Sequence, residues 1–307
     1  MGFRLNFLAG QLSENMAYGH QMVFARYCRT DKEKLRIFGR YQHGFSHLPY
    51  FPDSRIKGLV WSNDMKIACE EIGLSNIWSI GSPIIYHQIQ TTLEGVSHTT
   101  DKYSLCVAPH SSFDSKGSIF EYENFIQFFP NFRGSDSLDY FAKLCLTQST
   151  FRPIVLLYFN DFNEEIKARF ASYGINAITL GDGIFNPKIQ KNYFDKKINL
   201  IRNSEEVLVC DTNSIWAYAG FLRKSLEVFK ESIFNHNFNT VKSIYGDYDI
   251  RSIELFERIN GVRDLKSPEE LLEIFGSSSY MSILKSQLKF ILESARRALV
   301  FGRVHNC

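Results

Sequence analysis

Four short polar stretches each end an apolar run: Gln42-His43-Gly44, Pro109-His110-Ser111-Ser112, Gly181-Asp182-Gly183 and Asp211-Thr212-Asn213-Ser214. Their residue types suit different work. His43 carries an imidazole that titrates near neutrality, and Gly44 beside it lets a substrate approach the backbone, so the pair suits a general base. The bland alternative is a histidine that hydrogen-bonds a loop. His110, with the hydroxyls of Ser111 and Ser112, offers donors to a phosphate or a ribose and to charge developing on a leaving group. A strand-end cap would use the same residues. Asp182, between Gly181 and Gly183, suits a ribose-hydroxyl contact, acid–base work or a nucleophile, or simply an Asp-Gly turn. Thr212, Asn213 and Ser214 offer side-chain donors and helix N-terminal amides to a phosphate, and equally an ordinary N-cap.

The elements that must position these groups read as a parallel α/β sheet. Glu205 to Phe229 opens with Val207-Leu208-Val209-Cys210, a buried strand by its length and β-branching. It then breaks at the polar turn, continues as a helix with Ile215, Ala219 and Leu222 on one face, and ends in a strand over 225–229. Strand, polar turn, helix, strand is the repeating unit of such a sheet, and its polar turn sits where a strand's carboxyl end meets a helix N-terminus. Further strands are expected near 35–38, 58–61 and 77–80, then 104–108, 153–159 and 177–180. Helices are expected over 1–34, from Ser62-Asn63-Asp64 to Gly73, from Asp136 through Leu144, over 160–173 and over 187–202. Beyond residue 230 the pattern is mainly helical. Ser267-Pro268-Glu269-Glu270 is a capping box, and an apolar stripe from Ile283 to Leu299 marks a last helix. In a parallel sheet all carboxyl ends face one way, so turns from one domain converge on one edge.

Composition bounds the rest. At 307 residues, the chain suits two cores better than one, and 44% hydrophobic with 22% charged residues is ordinary for a globular protein. A formal charge of +2 argues against a dedicated nucleic-acid binder. The six cysteines show no CxxC and no ligand spacing, which predicts a reduced, cytoplasmic chain without a structural metal. Asp247-Tyr248-Asp249 has the outline of a metal-binding pair, but two carboxylates alone rarely fix a cation. Lys188, Lys191, Lys196 and Lys197 read as a solvated face that could also meet anionic lipid, a peripheral contact at the inner face of a membrane.

With these residues in place, the chain resembles the two-domain GT-B glycosyltransferases. The resemblance rests on His43-Gly44, on the PHSS turn at 109–112, on VWSNDMKIACEEIGLSNIWSIGSP over 60–83 and on DTNSIWAYAGFLRKSLEVF over 211–229, spanning roughly residues 35–230. Within the group it is most similar to bacterial enzymes of capsule and lipopolysaccharide biosynthesis, the CMP-sugar sialyl- and Kdo-transferases, and more distantly to CDP-glycerol glycerophosphotransferases. The resemblance implies two Rossmann-like domains facing across a cleft: an acceptor-side domain over 1–95, a donor-binding domain over 96–265, and helices over 266–307 returning to the first domain. It implies transfer of a sugar, by preference a CMP-activated acidic one, from a nucleotide donor to a glycan or lipid-linked glycan. His43 and Asp182 would be catalytic; His110, Ser111, Ser112, Gly181, Gly183, Thr212, Asn213 and Ser214 would bind the donor, with no metal or other cofactor. The alternatives are transfer of glycerol phosphate from CDP-glycerol, or a non-catalytic scaffold on the same fold.

Overall fold

A computed structural model describes residues 19–30, 35, 37, 40–42, 57–92, 102–109, 117–181 and 193–275. Strands β1 (Arg40–Tyr41), β2 (Gly58–Val60) and β3 (Ile77–Ser79) form a small parallel sheet in that order. Helix α1 (His20–Tyr27) precedes it, α2 (Asn63–Glu71) links β2 to β3, and α3 (Pro83–Thr92) follows β3. Five further strands, β4 (Tyr103–Val107), β5 (Arg152–Leu157), β6 (Asn176–Thr179), β7 (Glu206–Val209) and β8 (Ser225–Val228), form a second sheet, parallel throughout. Its order is β6-β5-β4-β7-β8. The chain starts in the middle, winds outward through β5 and β6, and returns across β4 to lay down β7 and β8.

Helices α4 (Tyr122–Phe125) and α5 (Ser137–Gln148) join β4 to β5, and α6 (Glu164–Ser172) joins β5 to β6. Helix α7 (Tyr193–Asn203) precedes β7, and α8 (Ser214–Phe221) links β7 to β8. Helices α9 (Phe234–Tyr245), α10 (Ile253–Asn260) and α11 (Pro268–Phe275) complete the described chain. The strands read from the five apolar runs of the second half appear at their expected places. In the first half, pairing with β2 among the described residues begins at Arg40↔Gly58, and of the 35–38 run only Leu35 and Ile37 are described. Leu35 and Ile37 are buried without being in a strand, because an apolar run marks burial and not a hydrogen-bonded ladder.

Both faces of the large sheet are covered, which is why its strands are continuously apolar. Phe125, Phe129, Leu138, Phe141 and Phe170 cover Cys106, Val155 and Leu208. On the other face Leu105, Val107, Val207 and Val209 share a core with α7, α8 and the small sheet. Helix α8 lies within this core, with every residue from Ile215 to Gly220 buried. A helix apolar all round has no solvent face to offer.

The last helices close over the carboxyl ends of the small sheet. Ser82, just past β3, donates its backbone amide to the Asn260 carbonyl at 2.8 Å. Gly261 holds a left-handed φ of 67°, and a Cβ there would stand 1.9 Å from the Trp61 carbonyl oxygen. Gly220 lets α8 meet α10, since a Cβ would lie 2.2 Å from the Phe256 ring. Arg258 pairs with Asp64 at the start of α2. The capping box at α11 forms as its sequence predicts: Glu270 accepts from the Ser267 amide at 2.8 Å, and the Ser267 hydroxyl accepts from the Glu270 amide at 3.2 Å.

Candidate functional site

In an open parallel sheet, ligands bind beyond the strand carboxyl ends where the winding reverses. Here that point lies between β4 and β7, which pair from Ser104↔Glu206 to Cys106↔Leu208. Past β7 comes the turn Asp211-Thr212-Asn213. Asp211 Oδ1 accepts from the Thr212 amide at 2.6 Å and from Asn237 Nδ2, on α9, also at 2.6 Å. Thr212 is buried as a result. Asn213 caps α8, its Oδ1 accepting from the amides of Ile215 at 2.9 Å and Trp216 at 3.1 Å. Two of the helix amides are thus taken by the protein's own cap. Asn213 Nδ2 and the amide and hydroxyl of Ser214 are what this turn leaves for an anion, at the positive end of the α8 dipole.

Past β4 the described chain reaches Ala108 and Pro109, the residues that lead into His110. Gly181 follows β6, and its carbonyl accepts from Thr179 Oγ1 at 3.4 Å. The strand order sets β6 two strands from β4, about 10 Å away, so Gly181 stands apart from the α8 cap along the same edge. His43, Asp182, His110, Ser111, Ser112 and Gly183 lie outside the described residues. So do Lys188, Lys191 and the last helix read from Ile283 to Leu299.

The approach to His43 is described through Gln42. Its Oε1 accepts from the Trp61 amide at 2.8 Å, and its carbonyl accepts from the Trp61 indole at 3.0 Å. Trp61 in turn stacks on Tyr218 of α8, ring centroids 5.5 Å apart and planes within 21°. Gln42 at the carboxyl end of β1 and the helix capped by Asn213 are therefore joined through one aromatic pair.

The comparisons with known proteins are sparse. No family model matches the chain, and no curated protein is significantly similar to it. Among solved structures it is similar to the wall teichoic acid polymerase TagF, in a structure soaked with CDPG, at 11% identity and a TM-score of 0.27. That match covers 78% of this chain, which spans 57% of the TagF chain. A superposition this loose assigns neither a fold nor an activity.

Around the Trp61–Tyr218 pair sits a set of groups that residue types and motifs alone do not single out. Lys197 belongs to α7 and is 5% exposed, so it is no part of a solvated face, unlike its exposed neighbour Lys196. The reason is periodicity. Phe194, Lys197, Ile198 and Ile201 are the buried residues of α7, the i, i+3, i+4, i+7 stripe of a core-facing helix, and Lys197 lies on it. Its Nζ stands 5.1 Å from the Tyr193 ring centroid and 5.7 Å from that of Tyr218. Burial strips water from the ammonium and pulls its pKa down to about 8. The phenols of Tyr218 and Tyr41 are pushed well above the ordinary tyrosine value, first by burial and then by their neighbouring phenols.

A second polar group ties the first helices to α7. Asp195 Oδ1 meets His87 Nε2 at 3.0 Å and Arg26 at 2.6 Å. Burial alone would raise the Asp195 carboxyl, but the hydrogen bonds from His87 and Arg26 outweigh it and hold the group below the usual carboxylate value. At the metal-like pair, Asp247 Oδ1 lies 2.5 Å from Lys242 Nζ, and Asp249 Oδ1 accepts from the Arg251 amide at 2.8 Å. Among the described residues no group of three or more His, Cys, Asp and Glu is placed to hold a metal ion, and no helix is long and apolar enough to cross a membrane.

Proposed function

We propose that this chain is a transferase that draws on a cytidine-nucleotide donor at the carboxyl edge between β4 and β7 and passes the activated group to a glycan or lipid-linked glycan acceptor. The observation that carries the reading is the strand order, which sets the β7 turn and its Asn213 cap beside the segment entering Pro109-His110. Asn213 and Ser214 bind the donor phosphate together with His110, Ser111 and Ser112. His43 takes the proton from the acceptor hydroxyl, and Asp182, beyond β6, meets a ribose hydroxyl or serves as an acid, base or nucleophile. The division at 95/96 and 265/266, a GT-B cleft, a cytoplasmic place of action and a role in capsule or lipopolysaccharide assembly belong to the same proposal.

A CMP-activated acidic sugar is the first donor class. Glycerol phosphate from CDP-glycerol is the second, favoured by the His43-Gly44 pair through its resemblance to glycerophosphotransferases. The test is calorimetric titration with CMP and CDP combined with product analysis. His110→Ala is expected to lose nucleotide binding, and His43→Ala to keep binding while losing transfer. If both variants bind and act as the native chain does, the roles given to His43 and His110 fall; if the native chain binds no cytidine nucleotide and forms no product, the fold serves as a scaffold and the transferase reading falls.

A further inference from the structure

The carboxyl end of β5 carries two adjacent aromatic rings, Tyr158 and Phe159, with centroids 4.2 Å apart and planes at 45°. Both are half-buried, whereas the strand before them is buried from Pro153 to Leu157. Strand β5 is the neighbour of β4 on the side away from β7. The two strands pair up to Val107↔Leu156, and the Ala108 amide then donates to the Leu156 carbonyl at 3.1 Å. Carried two residues on, that register sets Tyr158 beside Pro109, at the entrance to the His110 turn. Leu156 faces the core shared with α7 and α8, and Leu157 the opposite one. Tyr158 keeps an extended backbone, φ −68° and ψ 147°, so the alternation of the strand returns it to the face that carries α8 and its Asn213 cap. Tyr193, at the start of α7, lies near it there: burial first, and then the Tyr158 phenol, push the Tyr193 phenol up.

The turn that bears these rings is tied down. Asp161, fully buried, accepts from the Ile119 amide at 2.7 Å and from the Ser118 hydroxyl at 3.3 Å. The chain leaving β5 is thereby fastened to the chain that comes back from the His110 turn. Aromatic rings held partly open to water at the carboxyl edge of the sheet offer a stacking surface to another flat ring. In the donor-site reading above, the phosphate lies between the turns of β7 and β4, and Asp182 beyond β6 is within the same site. Strand β5 lies between β4 and β6, so the nucleoside half of the donor passes over its end. We propose that Phe159, backed by Tyr158, is the platform on which the nucleobase of the donor stacks. The platform rests on that donor-site reading, and it holds the base apart from the groups that hold the phosphate.

The test is calorimetric titration of the full chain with CMP and with ribose 5-phosphate, which keeps the sugar and the phosphate and lacks the base. The native chain is expected to bind CMP about tenfold more tightly than ribose 5-phosphate, the gain from one base–aromatic stack. Phe159→Ala removes that gain and leaves the affinity for ribose 5-phosphate as it was. Phe159→Trp, which keeps a flat ring at the position, retains the gain. Phe159→Leu, which keeps an apolar side chain in the turn, shows the same loss and keeps the test decisive if Phe159→Ala fails to fold. Three results overturn the platform while CMP binding leaves the donor site standing: equal native affinities for the two ligands, an unchanged CMP affinity in Phe159→Ala and Phe159→Leu, or equal losses for both ligands in those variants. Absence of binding of either ligand to the native chain overturns the platform and the donor site together.

Discussion

The Ser82 hydroxyl donates to Asn260 Oδ1 at 2.7 Å, joining the carboxyl end of β3 to the last residue of α10 across 178 positions of sequence. Asn260 is fully buried, and its Nδ2 donates to the carbonyls of Ala217 on α8 at 3.2 Å and Phe256 at 2.9 Å. One amide thus knots the small sheet, α8 and α10 together. Asn260→Ala would leave the Ser82 hydroxyl and the Ala217 carbonyl without it, at a cost of about 2–4 kcal/mol. Asn260→Asp is expected to be no milder, because a carboxylate cannot donate to either carbonyl. Urea unfolding of both variants checks this, with Ser82→Ala expected to cost about 1 kcal/mol.

Gly261 is the closest backbone approach in this knot. Its positive φ disfavours a side chain, and the Trp61 carbonyl occupies the space a Cβ would need. Gly261→Ala is therefore expected to destabilise by about 3 kcal/mol or more, or to prevent accumulation of folded protein. Gly73 also holds a positive φ, 84°, but a Cβ there meets nothing within 4 Å. Gly73→Ala should cost only the backbone strain, about 1 kcal/mol. Thermal unfolding of the two side by side separates steric contact from conformation.

Lys197 gives folding stability a dependence on pH. Its pKa falls from the ordinary lysine value of 10.5 to about 8 in the fold, so between these values the unfolded chain binds more protons than the folded one. Stability from this group therefore rises as pH climbs from about 8 toward 10.5, and the penalty is present in full below that window. The size is about 3 kcal/mol at most. Denaturant unfolding at steps from about pH 7.5 to about pH 9.5 should show the rise in the stability of the native chain relative to Lys197→Met, a difference in which the other titrating groups cancel. The comparison with Lys197→Met is needed because the buried thiols of Cys28, Cys69, Cys145 and Cys210 and, above about pH 10, the buried tyrosines have raised pKa values that act in the opposite direction.

Glu206 marks the far edge of the same sheet. Its carboxylate accepts from the Ser104 hydroxyl at 2.6 Å and from the amide and hydroxyl of Thr150, each at 3.0 Å, at the amino ends of β4, β7 and β5. Glu206→Gln puts amide hydrogens against these donors and should cost about 2 kcal/mol. Nucleotide affinity should hardly change, because the proposed binding edge is the opposite one. A large loss of CMP binding in this variant at a temperature where it stays folded would place the site elsewhere.

The large sheet is legible because burial on both faces forces uninterrupted apolar strands, and 206–209 and 103–107 are as plain in sequence as in space. Helix α3 is not, since Pro83 after Gly81-Ser82 reads as a break, whereas here proline takes the first helical position. The polar turn at 211–214 can be found by type, but residue types do not say that Asn213 spends its oxygen on α8 itself. Lys197 is hidden for a different reason. Charge groups it with the nearby lysines, while the spacing of Phe194, Ile198 and Ile201 places it inside. Tyr218 carries no local signal, because its standing comes from Trp61, which is 157 residues away in the chain (218 minus 61).

Helix α8 has buried residues on every side, with glycine required where it meets Phe256. Such an axle leaves almost no position free to drift. A saturation screen for folded protein should therefore find a trough of intolerance from Ile215 to Gly220, flanked by permissive ground at the more exposed Arg223 and Lys224. Any change in what the proposed site accepts would have to work through the turns at either end of the strands, leaving their shared spindle untouched.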